Sequence, residues 1–369
     1  MTRTRGLLTL LCLLATLPSL AAGVEDRSTL DARWRSGAWA ARAADLRAQA
    51  QAEPARFREA IRRELAAPAP DTAMQERLLQ EAMLSMLPIA RDPAGRDLLH
   101  TVGLRTPRAM TLQDEGGRQL PIPYADPGAA ARAVLDTWDR FDSRDRSLAA
   151  MIHGGDALAP LEDASVRREL SVRGIELAFG SAPVPQLLTQ RERVRGALTL
   201  RPRELTGIAA TLALRSGDTV LAREVIERGA GRARLDLVLA ARSAFAADDA
   251  TALLIAATAA QDVASAAVLQ LGNAMSASPS AREHLLSLLG DAALGGSAAQ
   301  ALAADTDAST LSALSAILAR GVDDLSTRRA ILTLRLNGGS AASALLTRYL
   351  DDPRAPAALR QEVATWIGA

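Results

Sequence analysis

Four aspartates near the C-terminus, Asp218, Asp262, Asp307 and Asp352, stand 44, 45 and 45 residues apart. An interval of that size is the length of one helical repeat unit, and it constrains the fold more than any other feature of the chain. Each aspartate sits between two short apolar segments. Asp218, for example, follows Leu212, Ala213 and Leu214 and precedes Val220, Leu221, Val225 and Ile226. A unit of this kind cannot bury its apolar face alone, so copies stack on one another. The spacing predicts a stacked helical array over residues 201–369 and a molecule that works by holding others. Nothing in the chain marks a chemical reaction or names a partner.

The first 23 residues have the three parts of a secretory leader and are set apart from the fold. Arg3 and Arg5 form the charged start, Leu7 to Leu17 the apolar core, and the segment from Ser19 to Gly23 supplies small residues for a peptidase. Cleavage is expected between Ala21 and Val24. The apolar run is shorter than the roughly 20 residues needed to cross a bilayer. Leu11 ahead of Cys12 does not suit lipid attachment. The expectation is a soluble protein, periplasmic or secreted, with no transmembrane segment.

Loss of the leader removes the only cysteine, so the mature chain is expected to have no disulfide, thiolate nucleophile or cysteine metal ligand. All 43 basic residues are arginine. The absence of lysine excludes a Gly-Lys-Ser/Thr phosphate loop, a Schiff-base lysine and a kinase-type lysine. Without Arg3 and Arg5, 41 basic residues face 42 acidic ones, a net charge of −1. No net field recruits nucleic acid. The 346 residues that follow the leader suffice for two packed domains or one extended array. They hold ten aromatic residues, so the core must be built from leucine, valine and alanine. That composition suits closely spaced helices, and the predicted fold is all-α.

Residues 24–200 read as an irregular helical domain. The periodicity predicts helices over Asp31–Gln51, Pro54–Leu65, Pro127–Phe141, Asp163–Phe179 and Pro185–Leu200. A further helix starts from a capping box of Thr72 and Gln75 and runs through Leu78, Leu79, Ala82 and Met83 to Pro88. From Arg108 to Tyr124 apolar and polar residues alternate on both sides of Asp114-Glu115-Gly116-Gly117, which predicts a small β-hairpin. Pro121 and Pro123 confine its second strand to an edge. The hairpin is either a connector or a recognition arm.

Residues 201–369 settle into short helices punctuated by glycine. The aspartates are expected to cap helix starts. Ser280 and Arg329 are placed at the openings of two further helices, and Gly229, Gly272 and Gly321 at helix ends. Arg234, Arg282 and Arg329 occupy matching places in three copies, and Leu359, Val363, Trp366 and Ile367 form a closing apolar stripe. On the stretches Ala298–Arg320 and Leu345–Ile367 the chain resembles the HEAT and armadillo-type superhelical repeats. That resemblance covers about the last 165 residues. It implies an α-solenoid and a scaffold or adaptor role. The basic residue that HEAT units carry soon after the aspartate is present as Arg223, but Ala267 and Ser312 stand in its place elsewhere.

No catalytic, cofactor-binding or metal-ligating set emerges. His100, His153 and His284 fit no metal spacing, and His284 reads as a structural histidine. His153-Gly154-Gly155-Asp156 reads as a helix-terminating loop, because no Gly-x-Ser-x-Gly elbow accompanies it. Asp136, Asp139, Asp142 and Asp145 spread around half a helix and read as a solvated face. Gly229-Ala230-Gly231 is not a dinucleotide fingerprint, for no strand precedes it. Arg191, Arg193, Arg195, Arg201 and Arg203 make the densest basic patch, diluted by Glu192 and Glu204 and suited to a domain junction or to an acidic partner or anionic envelope polymer.

The expected function is therefore that of an exported, non-catalytic scaffold or adaptor with a protein partner, no cofactor and no nucleic acid. Trp34, Trp39, Trp138 and Tyr124, with Arg191, Arg193 and Arg195, are the candidate contact residues, because aromatic and arginine side chains dominate interface energetics. The rival is an envelope hydrolase using carboxylates from distant helices; a structural spacer is the third reading.

Overall fold

The computed structural model describes residues 24–367. The leader and the side chain of Ile367 lie outside the described residues. Helices make up 71% of the structure, as 20 separate elements among the described residues, beside one three-stranded sheet. The all-α expectation is thus corrected to a mostly helical protein. The chain divides into two compact units, one ending at Asp142 and one beginning at Ser143.

The first unit contains α1 (Arg27–Ser36), α2 (Ala38–Ala52), α3 (Pro54–Ala66), α4 (Thr72–Leu84), α5 (Pro93–Gly103) and most of α6 (Pro127–Ile152). The single helix predicted over 31–51 is two, because Gly37 is extended and a Cβ there would press on the Arg33 carbonyl. At α4 the cap is Asp71, whose carboxylate accepts the Met74 N–H at 3.2 Å. The proposed capping box fails because Gln75 is buried and donates instead to the Glu64 carbonyl at 2.8 Å. α4 packs against α1, α2 and α3. Met74, Leu78, Leu79 and Met83 on it are fully buried, with Phe57 and Trp138.

The hairpin forms as the alternation predicts. β2 (Met110–Glu115) pairs antiparallel with β3 (Arg118–Pro123), Leu112 facing Pro121. Gly116 and Gly117 take φ of 64° and 84°, the paired positive values that a tight two-residue hairpin turn requires. Two further residues, β1 (Val24–Glu25), pair parallel to β2, so β2 is central and the proline-bearing β3 is an edge. A two-residue strand has no period to read, which is why β1 escaped the sequence.

The second unit begins with the end of α6 and a 3-10 turn, Ala159–Glu162. It continues with α7 (Arg168–Ser181), α8 (Val184–Thr189), α9 (Arg191–Leu200), α10 (Pro202–Ser216), α11 (Thr219–Arg228), α12 (Arg232–Ala244) and α13 (Ala247–Ala257). Then come α14 (Ala264–Gly272), α15 (Pro279–Leu288), α16 (Gly295–Ala303), α17 (Ala308–Leu318), α18 (Leu325–Asn337), α19 (Ser340–Asp351) and α20 (Ala357–Ile367). The helix predicted over 185–200 is broken at Gln190, whose buried side chain holds the backbone of Gly155 and Ala157. From α9 to α16 each helix packs on the next. α7 packs on α10, and next-but-one contacts then link α10, α12, α14, α16 and α18 in series. One buried apolar cluster runs from Met151 to Val363, so the helices at 159–200 share the core of those that follow. Small residues permit the close spacing: a Cβ on Gly272 would meet the Cβ of Ala301 at 2.9 Å.

The evenly spaced aspartates do two jobs. Asp218 caps α11 through the Val220 and Leu221 amides at 3.1 and 3.0 Å, and Asp307 caps α17 through Ser309 at 2.8 Å. Asp262 and Asp352 are not N-caps. Asp262 stands one residue too early for α14 and accepts Arg234 at 2.8 Å; Asp352 ends α19 and accepts the Arg354 N–H at 2.9 Å. The matched arginines explain part of the interval. Arg234 reaches Asp262, and Arg282 reaches Asp305 and Asp307, each guanidinium lying largely buried against the following unit. Arg329 breaks the series and donates to the carbonyls of Leu289 and Ala292 at 3.0 and 3.1 Å. The opening residues also shift: Ser278 caps α15 where Ser280 was expected, and Asp324 caps α18 ahead of Arg329. Of the three predicted terminal glycines only Gly321 has left-handed backbone (φ 69°). Leu359 and Val363 are buried and Trp366 packs on the core, as the closing stripe predicts.

Candidate functional site

The aromatic candidates serve the core of the first unit. Trp138 is wholly buried, and Trp34 and Tyr124 are buried around Arg77, whose guanidinium lies 5.2 Å from the Trp34 ring centre and 5.5 Å from that of Tyr124. The Tyr124 hydroxyl donates to Asp31 at 3.0 Å, and Arg77 donates to the same carboxylate at 3.1 Å. Trp39 is half-buried on the same cluster. Trp34, Tyr124 and Trp138 are therefore given to the interior, beside the leucines and methionines of the same core.

Most of the basic patch is likewise spent within its own unit, Arg203 excepted. Arg191 donates to Asp218 at 3.1 Å, Arg195 to Glu224 at 2.6 Å, and Arg193 to the Gly155 carbonyl at 2.9 Å. The hydrogen bond from Arg195 holds the Glu224 carboxyl below the usual carboxylate range. Such pairs leave few donors for an anionic polymer. The aspartate run on α6 is paired too: Arg96 reaches Asp139 at 2.6 Å and also Asp142, which Arg91 approaches at 3.0 Å. Among the described residues no group of His, Cys, Asp or Glu is arranged to hold a metal ion, and no helix is long and apolar enough to cross a membrane. His153 follows the last turn of α6 and Gly154 is left-handed (φ 72°), a helix-terminating loop. His284 meets the Thr258 hydroxyl at 3.0 Å, and burial lowers its pKa.

An open groove of about 680 Å³ lies elsewhere, within the second unit. Its walls are one face of α7, the first two turns of α10 and the start of α12. The floor is fixed by Thr206, which donates to the Pro202 carbonyl at 2.6 Å and accepts the Ala230 N–H at 3.1 Å, tying the loop before α12 to α10. Four arginines and four carboxylates line the groove. Most are paired: Arg168 with Glu204 at 2.9 Å, Arg232 with Asp236 at 2.8 Å, and Glu169 with Arg167 at 3.4 Å.

Glu176 is the exception. Its half-buried carboxyl lies over Gly207 of α10, and a Cβ at that glycine would collide with it. Glu176 has no hydrogen-bond or ion-pair partner among the described residues, and desolvation raises its pKa, with Arg173 one turn away acting in the opposite sense. Arg173 and Arg203 are exposed on the groove walls and form no ion pair among the described residues. The arrangement therefore sets out one carboxyl and two guanidinium groups that make no hydrogen bond or ion pair among the described residues, with Arg173 and Glu176 attracting each other through space.

A carboxyl whose pKa is raised by folding penalises the folded state once it ionises. The penalty is absent below the ordinary glutamate range near about 4.3 and is complete above the raised value. Glu176→Gln should therefore unfold at higher urea concentration than the parent at pH 7 and at the same concentration at pH 3.5. Parallel curves at both pH values would refute the desolvation.

Of this site the sequence singled out only Arg203, within the basic patch, because its residues come from three helices up to 68 positions apart, Arg168 to Asp236. The available signal was Gly207, a glycine in the interior of a helix among alanines, where it costs about 1 kcal/mol against alanine. No protein-family model, curated protein or solved structure matches the chain.

Proposed function

We propose that this is an exported, non-catalytic helical-repeat protein that acts as a protein-binding scaffold or adaptor in the cell envelope. In this reading the helices from α10 onward form an α-solenoid of the HEAT/armadillo kind. The observation that carries it is the serial packing of α10, α12, α14, α16 and α18 over one continuous core, with Arg–Asp pairs recurring near the repeat interval. Arrays of this kind offer extended surfaces, and binding is the use such surfaces suit. The open groove beside α10 gives that surface a concave, polar place for a partner.

The test is affinity capture from envelope extracts, with the protein expressed from its full sequence as bait. A stoichiometric protein partner is the expected result, and a processed N-terminus between residues 22 and 24 should accompany it. An empty capture would overturn the adaptor reading. The hydrolase alternative draws on Glu176 alone, for the other groove carboxylates are held by arginines and a hydrolytic pair needs two carboxyl groups facing the bond. Turnover of envelope polysaccharide that disappears in Glu176→Gln would establish it.

A further inference from the structure

We propose that the groove between α7, α10 and the start of α12 takes the carboxylate end of a peptide chain, the terminal carboxylate on Arg173 and Arg203 and a preceding peptide N–H on Glu176. The proposal deepens the binding-scaffold reading and rests on it.

The argument is one of unmet groups. Three of the four groove carboxylates already have arginines, and Arg168 and Arg232 are spent on two of them. What remains is two guanidinium groups, Arg173 and Arg203, in no ion pair among the described residues, and one carboxyl, Glu176, that accepts no hydrogen bond and feels Arg173 through space. Guanidinium matches carboxylate geometry through two parallel N–H donors, which makes a free carboxylate its natural complement. A half-buried carboxylate seeks N–H donors, and a peptide chain carries them at regular intervals beside its terminal charge. A ligand with a terminal negative charge and neighbouring N–H groups satisfies all three at once; an inorganic anion would leave Glu176 unmet and repelled. Capture of terminal carboxylates is an established mode of peptide recognition.

Gly207 is the second, independent observation. Its position inside α10 is unfavourable for a helix, and a Cβ there would meet the Glu176 carboxyl and make that side-chain end shift. The helix thus carries a locally poor residue where the free carboxyl needs room. The volume of 680 Å³ falls within the range of about 300–1,000 Å³ found for sites that enclose small ligands, room for several residues of an extended chain.

The probe is a fluorescent pool of random tetrapeptides, once with free C-terminal carboxylates and once amidated, titrated by anisotropy against the full chain. The free-carboxylate pool should bind at least tenfold more tightly than the amidated one. The double variant Arg173→Ala/Arg203→Ala should erase that difference with an unchanged circular dichroism spectrum. Gly207→Ala should weaken binding at least fivefold while helix content stays the same, a combination that a purely structural role for Gly207 does not produce. Equal binding of the two pools, absence of binding by both, or equally good competition by a free amino acid would each overturn the proposal. Partner capture that survives the double arginine variant would overturn the groove assignment and leave the scaffold reading standing. Peptide binding without any captured partner would do the reverse.

Discussion

Trp138→Ala should destabilise the first unit by about 3–5 kcal/mol, the range for deleting a large buried aromatic ring. Trp138 is the largest fully buried side chain among the described residues. Its ring tip lies so close to α5 that a Cβ on Gly95 would stand 3.0 Å from it, and the Arg96 guanidinium lies 5.9 Å from its centre. Arg96 is in turn fixed by Asp139 and Asp142 on the same helix as the ring. The indole N–H, however, has no acceptor among the described residues. A buried donor without a partner costs about 1–3 kcal/mol, so the ring is retained for its volume. Trp138→Phe removes that donor along with part of the ring and should cost under about 2 kcal/mol, well short of the alanine variant. Urea unfolding followed by the fluorescence of Trp34 and Trp39, which stay in the same unit, separates the two cases. A loss below 1 kcal/mol for alanine would show that the site relaxes and that the packing around α5 and α6 is loose.

Much of the fold was legible because its elements are long and periodic. The helices starting at Pro54 and Pro127 begin where proline and the apolar stripe place them, and the hairpin follows from alternation around Gly116-Gly117. What failed was whatever depends on distant partners. Gln75 looked like a capping residue and is a buried donor to the last turn of α3; Asp262 looked like a cap and is the receptor for Arg234. Both side chains are local competitors for backbone amides, and a tertiary partner outbid the local one. The aromatic residues misled for a related reason. Exposed rings mark interfaces, but Trp34, Tyr124 and Trp138 are buried among the leucines and methionines of the first core. The groove was invisible because periodicity reports which face of a helix is apolar, and says nothing of which unpaired charges three helices bring together.

Glu76 shows the same limit at a single residue, and its replacement has the second large expected effect. On the helical wheel of α4 it reads as part of a polar face, yet its carboxylate is about 3% exposed. It accepts the backbone N–H of Arg108 at 2.9 Å and of Ala109 at 3.0 Å, the two residues that lead into β2. One turn later Gln80 accepts the Asp126 N–H at 2.7 Å, just beyond β3. Residues four apart share a helix face, so one face of α4 grips the hairpin at its entry and its exit. Glu76→Ala leaves two part-buried amides without acceptors. At about 1–3 kcal/mol for each stranded donor, the loss should reach about 3 kcal/mol. Glu76→Gln keeps one acceptor oxygen but turns an amide donor toward the second N–H, and should fall between parent and alanine. Because the grip is local, hydrogen exchange should accelerate first in residues 108–126 and leave the buried turns of α4 protected. Unchanged exchange in the hairpin amides of Glu76→Ala would mean that the sheet is held by its own ladder and that Glu76 is merely buried. Acceleration confined to that segment would mean that a helix core with few aromatics also carries a small sheet, fastened to it by two side chains one turn apart.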